Sequence, residues 1–129
     1  MNINELMLGD WVKYHNRFGI IKALMDNECL ILVSCDGNDE LIWGTYDNIE
    51  GISLTHDILT KIGFETQPNI GYIIDDWDGN QIIYDSWNYV LRIIKDYKTC
   101  LDIETFNEMT VDELQHALRI CRIEKEIVL

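Results

Sequence analysis

The feature that most constrains the fold is the close alternation of short apolar runs with turn residues between Leu6 and Ile52. A first strand signal that runs to Tyr14 and further apolar runs at residues 20–24, 29–33 and 40–44 are separated by turn-forming segments at 16–19, 26–27 and 36–39. Runs this short, on turns this tight, are typical of antiparallel strands joined by hairpins. The pattern predicts that residues 1–52 form a small antiparallel β-barrel of the SH3-like kind.

The second half opens with a helix signal and continues with strand signals. Thr55 is placed to cap a short helix, and Gly63 is placed to end it in a left-handed conformation. Apolar runs at residues 72–74, 81–84 and 89–94 follow, with a turn at 78–80. Their connections are too short for parallel crossovers. We therefore predict a short connecting helix and then an antiparallel β-meander.

The clearest local signal is a C-terminal helix. Thr110 and Glu113 have capping-box spacing, and Met109 and Leu114 have the spacing of a hydrophobic staple. Ile120 falls off the apolar stripe of this helix. We expect the segment 123–129 to cover Ile120, with a partner contact as the alternative.

Domain organisation follows from the absence of a linker. No Gly-, Ser- or Pro-rich stretch separates residues 1–52 from residues 53–129, and each half alone is small enough to be marginally stable. We predict an α+β protein in which a barrel subdomain and a helix–meander–helix subdomain pack as one compact unit.

Charge excludes several kinds of partner. Ten Lys and Arg against 23 Asp and Glu give a formal net charge of −13. Direct binding of nucleic acid or of an anionic membrane surface needs clustered basic residues, and here they are scattered. The first ten residues lack a basic and an apolar segment of the kind that directs export, so we expect a cytoplasmic protein.

Aromatic residues in the first half allow two interpretations. Trp11, Tyr14, Phe18, Trp43 and Tyr46 could form a cage for a methylated cation, but filling the core of a small barrel is the simpler explanation. If some of them are exposed, they offer apolar surface to a partner protein. The candidate partner contacts are therefore Ile120, Trp11 and Trp43.

Cysteine and histidine spacing gives no positive metal or catalytic signal. The four cysteines include no Cys-x-x-Cys pair, and we expect reduced thiols that serve packing: Cys29, Cys35, Cys100 and Cys121. Asp112 and His116 are four residues apart and could bind a metal or act as an acid–base pair. An ion pair on the solvent face of the helix is the simpler interpretation. We predict no metal and no cofactor.

No phosphate-binding glycine loop, dinucleotide motif, metalloprotease motif or nucleophile elbow occurs in the chain. We therefore expect a non-enzymatic accessory protein that acts as a protein–protein interaction module. One alternative is an acidic mimic of nucleic acid that inhibits a basic DNA-binding partner. Another is a small ligand-binding protein or hydrolase with a pocket at His15, His56 or His116.

Three motifs along nearly the whole chain carry a family resemblance. They are Asn2-Ile3-Asn4-Glu5-Leu6 with Gly9-Asp10-Trp11-Val12, Ile52-Ser53-Leu54-Thr55 with Ile58-Leu59 and Gly63-Phe64, and Val111-Asp112-Glu113-Leu114-Gln115. In this order the motifs resemble a family of small uncharacterised proteins from gut Bacteroidetes and their phages or mobile elements. The resemblance implies an origin and an architecture, and it implies no particular activity. The chain departs from the family at Asp112, where His is common, and at Arg122, where Gly often closes the helix.

Overall fold

The computed structural model describes residues 6–35 and 37–129 and shows an α+β protein made mostly of strands. The elements in this part of the chain are β1 (Trp11–Tyr14), β2 (Arg17–Leu24), β3 (Glu28–Cys35), β4 (Asn38–Thr45), a 3-10 turn (Tyr46–Asn48), β5 (Ile49–Glu50), α1 (His56–Ile62), β6 (Glu65–Gln67), β7 (Gly71–Trp77), β8 (Asn80–Asp85), β9 (Val90–Lys95), β10 (Lys98–Glu104) and α2 (Val111–Ile120).

The chain divides into two units. The first contains the described residues up to Ile52 together with Thr110–Asp112, and the second contains Ser53–Met109 and Glu113–Leu129. Within the first unit, the amide of Val111 donates a hydrogen bond to the Ile52 carbonyl at 2.8 Å. That bond holds the start of α2 against the end of the first sheet.

The first unit is an open antiparallel sheet with strand order β4-β3-β2-β1-β5. The predicted SH3-like barrel is not confirmed, because neither sheet of the described residues closes on itself. Closure would require β4 to pair with β5. The two-residue strand β5 pairs with β1 instead, through Lys13↔Glu50 and Tyr14↔Ile49. The predicted turn at 36–39 includes Asp36, which lies outside the described residues.

One face of this sheet carries the core of the first unit. Its buried residues are Leu6, Val12, Ile21, Cys29, Ile31, Val33 and Ile49. Gly19 lies on this face opposite Val33, and a Cβ there would stand 2.5 Å from Ile31 Cγ2. A side chain at position 19 would therefore displace its core neighbours, which explains the glycine inside a strand.

The second unit contains a meander with strand order β10-β9-β8-β7-β6, as the spacing of the apolar runs predicts. The paired residues Ile82↔Ile93 and Tyr84↔Leu91 are fully buried on one face. The Tyr84 hydroxyl accepts a hydrogen bond from the Met109 amide at 3.3 Å. The segment before α2 is thereby tied to the buried face of this sheet.

Both helices have identifiable ends. In α1 the Thr55 side chain accepts a hydrogen bond from the Ile58 amide, and Gly63 ends the helix with a φ of 124°, as predicted. After α2, the amide of Ile123 donates to the Leu118 carbonyl, and Arg122 has a left-handed φ of 56°. This is the Schellman pattern, with arginine where glycine is commonest.

Candidate functional site

The candidate site is the face of the first sheet opposite the core, which we call the outer face. Residues paired across antiparallel strands share a face, so the strand register defines cross-strand rows. Two neighbouring rows on the outer face are apolar throughout. They are Trp11–Ile20–Leu32–Leu41 and Ala23–Leu30–Trp43.

Exposure on the outer face is greatest at its edge strand. Leu41 is 57% exposed and Trp43 is 52% exposed, and both lie on β4 at the edge of the sheet. The other members of the two rows are partly buried. An exposed edge strand with large apolar side chains is a typical site for association with another protein.

Acidic residues flank the pair of apolar rows on both sides. Glu28 precedes Leu30 by two residues on β3, and Asp39 precedes Leu41 by two residues on β4, so each lies on the outer face. Since the strands are antiparallel, the exposed Glu28 lies beside the row of Trp43, and the exposed Asp39 lies beside the row of Leu41.

Two of the basic residues in the same sheet already form ion pairs. Lys13 Nζ lies 3.8 Å from Glu50 Oε2, and Arg17 lies 3.9 Å from Glu40 Oε2. Lys22, at the bulge in β2, is exposed. The outer face is therefore an apolar surface with an acidic border.

The structure brings together two of the three predicted partner contacts. Trp11 and Trp43 belong to neighbouring rows of one face. Ile120 lies in the second unit at the end of α2 and is 66% exposed, so the expectation that residues 123–129 cover it is wrong. Ile123 and Ile127 of that segment are themselves buried.

Sequence reasoning missed the continuity of the outer face. The missed residues are Ile20, Leu30, Leu32 and Leu41. A signal was present, because residues 20–21, 30–33 and 41–43 are apolar at consecutive positions and not at alternate ones. Consecutive apolar residues in a strand place apolar side chains on both faces of its sheet.

The five aromatic residues of the cage hypothesis divide between the two faces of the sheet. Tyr14 and Tyr46 pack against the core cluster, as the core-filling interpretation predicts. Trp11, Phe18 and Trp43 lie on the outer face, so the core-filling interpretation is wrong for these three residues. These positions give no common cage for the five rings.

Asp112 lies close to Asp10 of the same unit. A carboxylate oxygen of each residue lies within 4.8 Å of the other. Asp10 and Asp112 are 0% and 3% exposed, so the predicted solvent-face position of Asp112 is wrong.

Both carboxylates have local roles. Asp10 accepts a hydrogen bond from the Met7 amide at 2.8 Å, and Asp112 accepts one from the Thr110 hydroxyl at 2.6 Å. These bonds close the turn before β1 and the first turn of α2. These hydrogen bonds explain both buried carboxylates as parts of the fold.

The histidines occupy different settings. His56 Nδ1 lies 3.0 Å from the Tyr72 hydroxyl oxygen in the second unit. The His15 ring packs edge-on against Tyr14 with a centroid distance of 4.2 Å. His116 lies partly buried on α2, and the alternative of a histidine pocket stays a prediction.

The cysteines separate into two kinds. Cys29 is fully buried, and burial raises the pKa of its thiol to about 11, which makes it unreactive. Cys121 is also buried, and burial is the largest cause that raises the pKa of its thiol to about 12, whereas Cys100 is exposed.

Comparison of the chain with protein-family models, curated proteins and solved structures gives no match. The resemblance to a family from Bacteroidetes and phages therefore stays a prediction, and residues 2–5 of its first motif lie outside the described residues. Among the helices that the structure describes, none has the length and apolar content to cross a membrane.

Proposed function

We propose that this protein is a non-enzymatic interaction module that binds another protein through the outer face of its first sheet. The observation that carries the proposal is the pair of apolar rows ending at Leu41 and Trp43 on an edge strand. Packing a second apolar surface against such rows contributes roughly 25 cal/mol for each Å² of apolar area removed from water.

The partner that fits has an apolar patch bordered by Lys or Arg. Glu28 and Asp39 flank the pair of rows on opposite sides, and the whole chain carries a net charge of −13. A second copy of this chain would place like charges against each other, whereas a basic border would attract them. Steering by these charges raises the association rate more than the final affinity.

The proposal is tested by capture and titration with matched variants. Tagged wild-type protein, the double variant Leu41→Ser/Trp43→Ser and the control Trp87→Ser are used to capture partners from lysate at low and high salt. Trp87 is 78% exposed in the second unit, so its substitution removes a comparable amount of exposed aromatic surface elsewhere. The captured protein is then purified and titrated against each variant.

We expect the double variant to lose binding by at least about tenfold and Trp87→Ser to keep it, since central apolar contacts supply most interface affinity. Binding should weaken moderately with salt and resist competing duplex DNA. Equal binding by the double variant would overturn the proposal. A basic partner that DNA and salt displace equally from all three proteins would indicate the acidic-mimic alternative, and concentration-dependent dimerisation lost in the double variant would indicate a second copy.

A further inference from the structure

The hydrogen bonds of Ile21 show which way the backbone of the first sheet points. The Ile21 amide donates to the Asp10 carbonyl at 3.0 Å, and the Ile21 carbonyl accepts from the Gly9 amide at 2.8 Å. Asp10 and Gly9 directly precede β1, so both backbone groups of Ile21 point toward that strand. They are therefore not directed at Ile31, the residue of β3 that pairs with Ile21.

The same alternation extends to β4, the edge strand of the sheet. Since Ile31 makes no ladder bond to β2, its backbone groups face β4, where it pairs with Ile42. Ile42 therefore faces back toward β3. The alternate residues Leu41, Trp43 and Thr45 point their N–H and C=O groups away from the sheet. No strand of the described residues pairs with that side of β4.

The strand β4 also lacks the features that normally protect an edge. Its eight residues pair with β3 without a register shift and include no Pro, Lys or Arg. The other edge strands in the described part of the chain are β5 with two residues, β6 with three, and β10, which begins at Lys98 and contains a bulge. Short length, lysine and bulges oppose pairing with another chain. Among these four edges, only β4 is long and regular.

The charges around β4 indicate the kind of chain that can pair with it. Residues 28–48 include acidic residues and no Lys or Arg. Exposed Asp39 lies near the start of β4, and exposed Glu28 pairs with Thr45 at its end. Each copy of the protein carries a net charge of −13, so a second copy is repelled and a cationic segment is attracted.

We propose that an extended segment of the partner protein adds to β4 as an antiparallel strand, with alternate apolar residues between two Lys or Arg residues. This inference rests on the proposed function and adds the binding mode and the chemistry of the partner segment. The two apolar residues lie beside Leu41 and Trp43 and extend the apolar rows by one strand. The cationic residues lie beside Asp39 and beside Thr45, across which Glu28 is placed.

The first test uses a synthetic peptide of this pattern. The capped peptide Lys-Thr-Ile-Thr-Val-Thr-Lys, with a fluorescent label, is titrated against the full chain at low salt and followed by fluorescence anisotropy. We expect saturable binding that weakens as salt is added. A peptide with Glu in place of both Lys residues should bind at least about tenfold more weakly, because its charges repel the acidic border.

Backbone methylation distinguishes strand addition from contact of side chains alone. One peptide carries N-methyl groups on the Ile and Val amides, which in the proposed register point toward β4. A matched peptide carries them on two Thr amides, which point away from β4. We expect the first peptide to lose at least about tenfold in affinity and the second to bind like the parent, since a methylated amide cannot donate a hydrogen bond.

A proline at position 45 provides the matching test on the protein. Thr45 has a φ of −78° and a ψ of 147°, which proline can adopt, and its outward N–H makes no bond to β3. Thr45→Ala is the control, because both variants lose the hydroxyl that accepts from Asn48 Nδ2 at 2.9 Å. We expect Thr45→Pro to bind the parent peptide roughly tenfold more weakly than Thr45→Ala, with similar Tm values for the two.

The outcomes separate this inference from the proposed function. If a captured partner binds Thr45→Pro and Thr45→Ala equally but loses binding to Leu41→Ser/Trp43→Ser, strand addition is overturned and the proposed function stands. If that double variant also binds like wild type, both are overturned.

Three further results would overturn strand addition by a basic segment. They are no saturable binding of the parent peptide up to about 1 mM, equal affinities of the two methylated peptides, and equal binding of the Lys and Glu peptides. A wild-type dimer in sedimentation equilibrium that Thr45→Pro abolishes would assign the edge to a second copy and overturn the choice of partner.

Discussion

The two sheets differ in what they place on the face opposite their buried residues. In the first sheet, the row Trp11–Ile20–Leu32–Leu41 is apolar from end to end. In the second sheet, the equivalent face carries Arg92 beside Asp102, with Arg92 Nη2 3.0 Å from Asp102 Oδ2. The amide of Gln81 also donates to Asp75 at 2.8 Å. One outer face thus has two wholly apolar rows, whereas the rows of the other face mix isoleucines such as Ile83 and Ile94 with paired charges and amides.

This difference distinguishes a sheet face that is suited to contact with water from one that is suited to contact with a partner protein. Charged and amide pairs on an outer face suit contact with water and oppose association with another chain. Large apolar side chains on an exposed edge strand leave apolar surface in contact with water unless another surface covers it. The contrast therefore directs the search for a partner to the first sheet.

The largest change in the free energy of unfolding is expected from substitutions at two neighbouring residues that lie on opposite faces of β3. Ile31 is fully buried and Leu32 is partly buried on the outer face. Ile31→Ala should lower the free energy of unfolding by about 3 kcal/mol, and Leu32→Ala by only about 1 kcal/mol, in urea titrations. If Leu32→Ala costs as much as Ile31→Ala, the outer face is structural and the comparison fails.

A smaller change in the free energy of unfolding is expected from a substitution on the outer face of the second sheet. Arg92 and Asp102 pair across β9 and β10 while both side chains stay about half exposed. Arg92→Ala should change the free energy of unfolding by no more than about 0.5 kcal/mol, because solvent and salt screen the pair. Leu91→Ala, at the fully buried neighbour, provides the contrast, and its loss should be several times greater.

The smallest effect is the pH dependence of stability that comes from Asp85 at the end of β8. Asp85 accepts hydrogen bonds from the Asn88 side chain at 2.8 Å and from the Trp87 amide at 2.9 Å. The bond from Asn88 is the largest influence that lowers the pKa of Asp85 below its usual range. Stability from the ionised carboxylate is therefore present above that range and is lost as pH falls through the lowered pKa.

Asn88→Ala should raise the pKa of Asp85 toward its usual value, as followed by carboxyl NMR titration. The variant should be slightly less stable than wild type at neutral pH. This difference in stability should disappear in acid, where Asp85 is protonated in both proteins. An unchanged pKa would mean that the Asn88 side chain does not bind Asp85 in solution.

Local signals in the sequence determined most of the elements and their ends. The cap at Thr55 and the glycine at Gly63 define α1, and the short turns define strands that pair with their neighbours in the chain. These features depend on contacts between residues that are close in the sequence, so they can be predicted from the sequence alone. The family resemblance and the cytoplasmic location are predictions that these local signals do not test.

Three outcomes depended on tertiary structure. Whether the first sheet closes is decided by which strand β5 reaches, and the exposure of Ile120 is decided by where residues 123–129 pack. The burial of Asp112 depends on elements that approach from distant parts of the chain. Sequence periodicity reports which face of an element is apolar, but only packing decides which of those faces is covered.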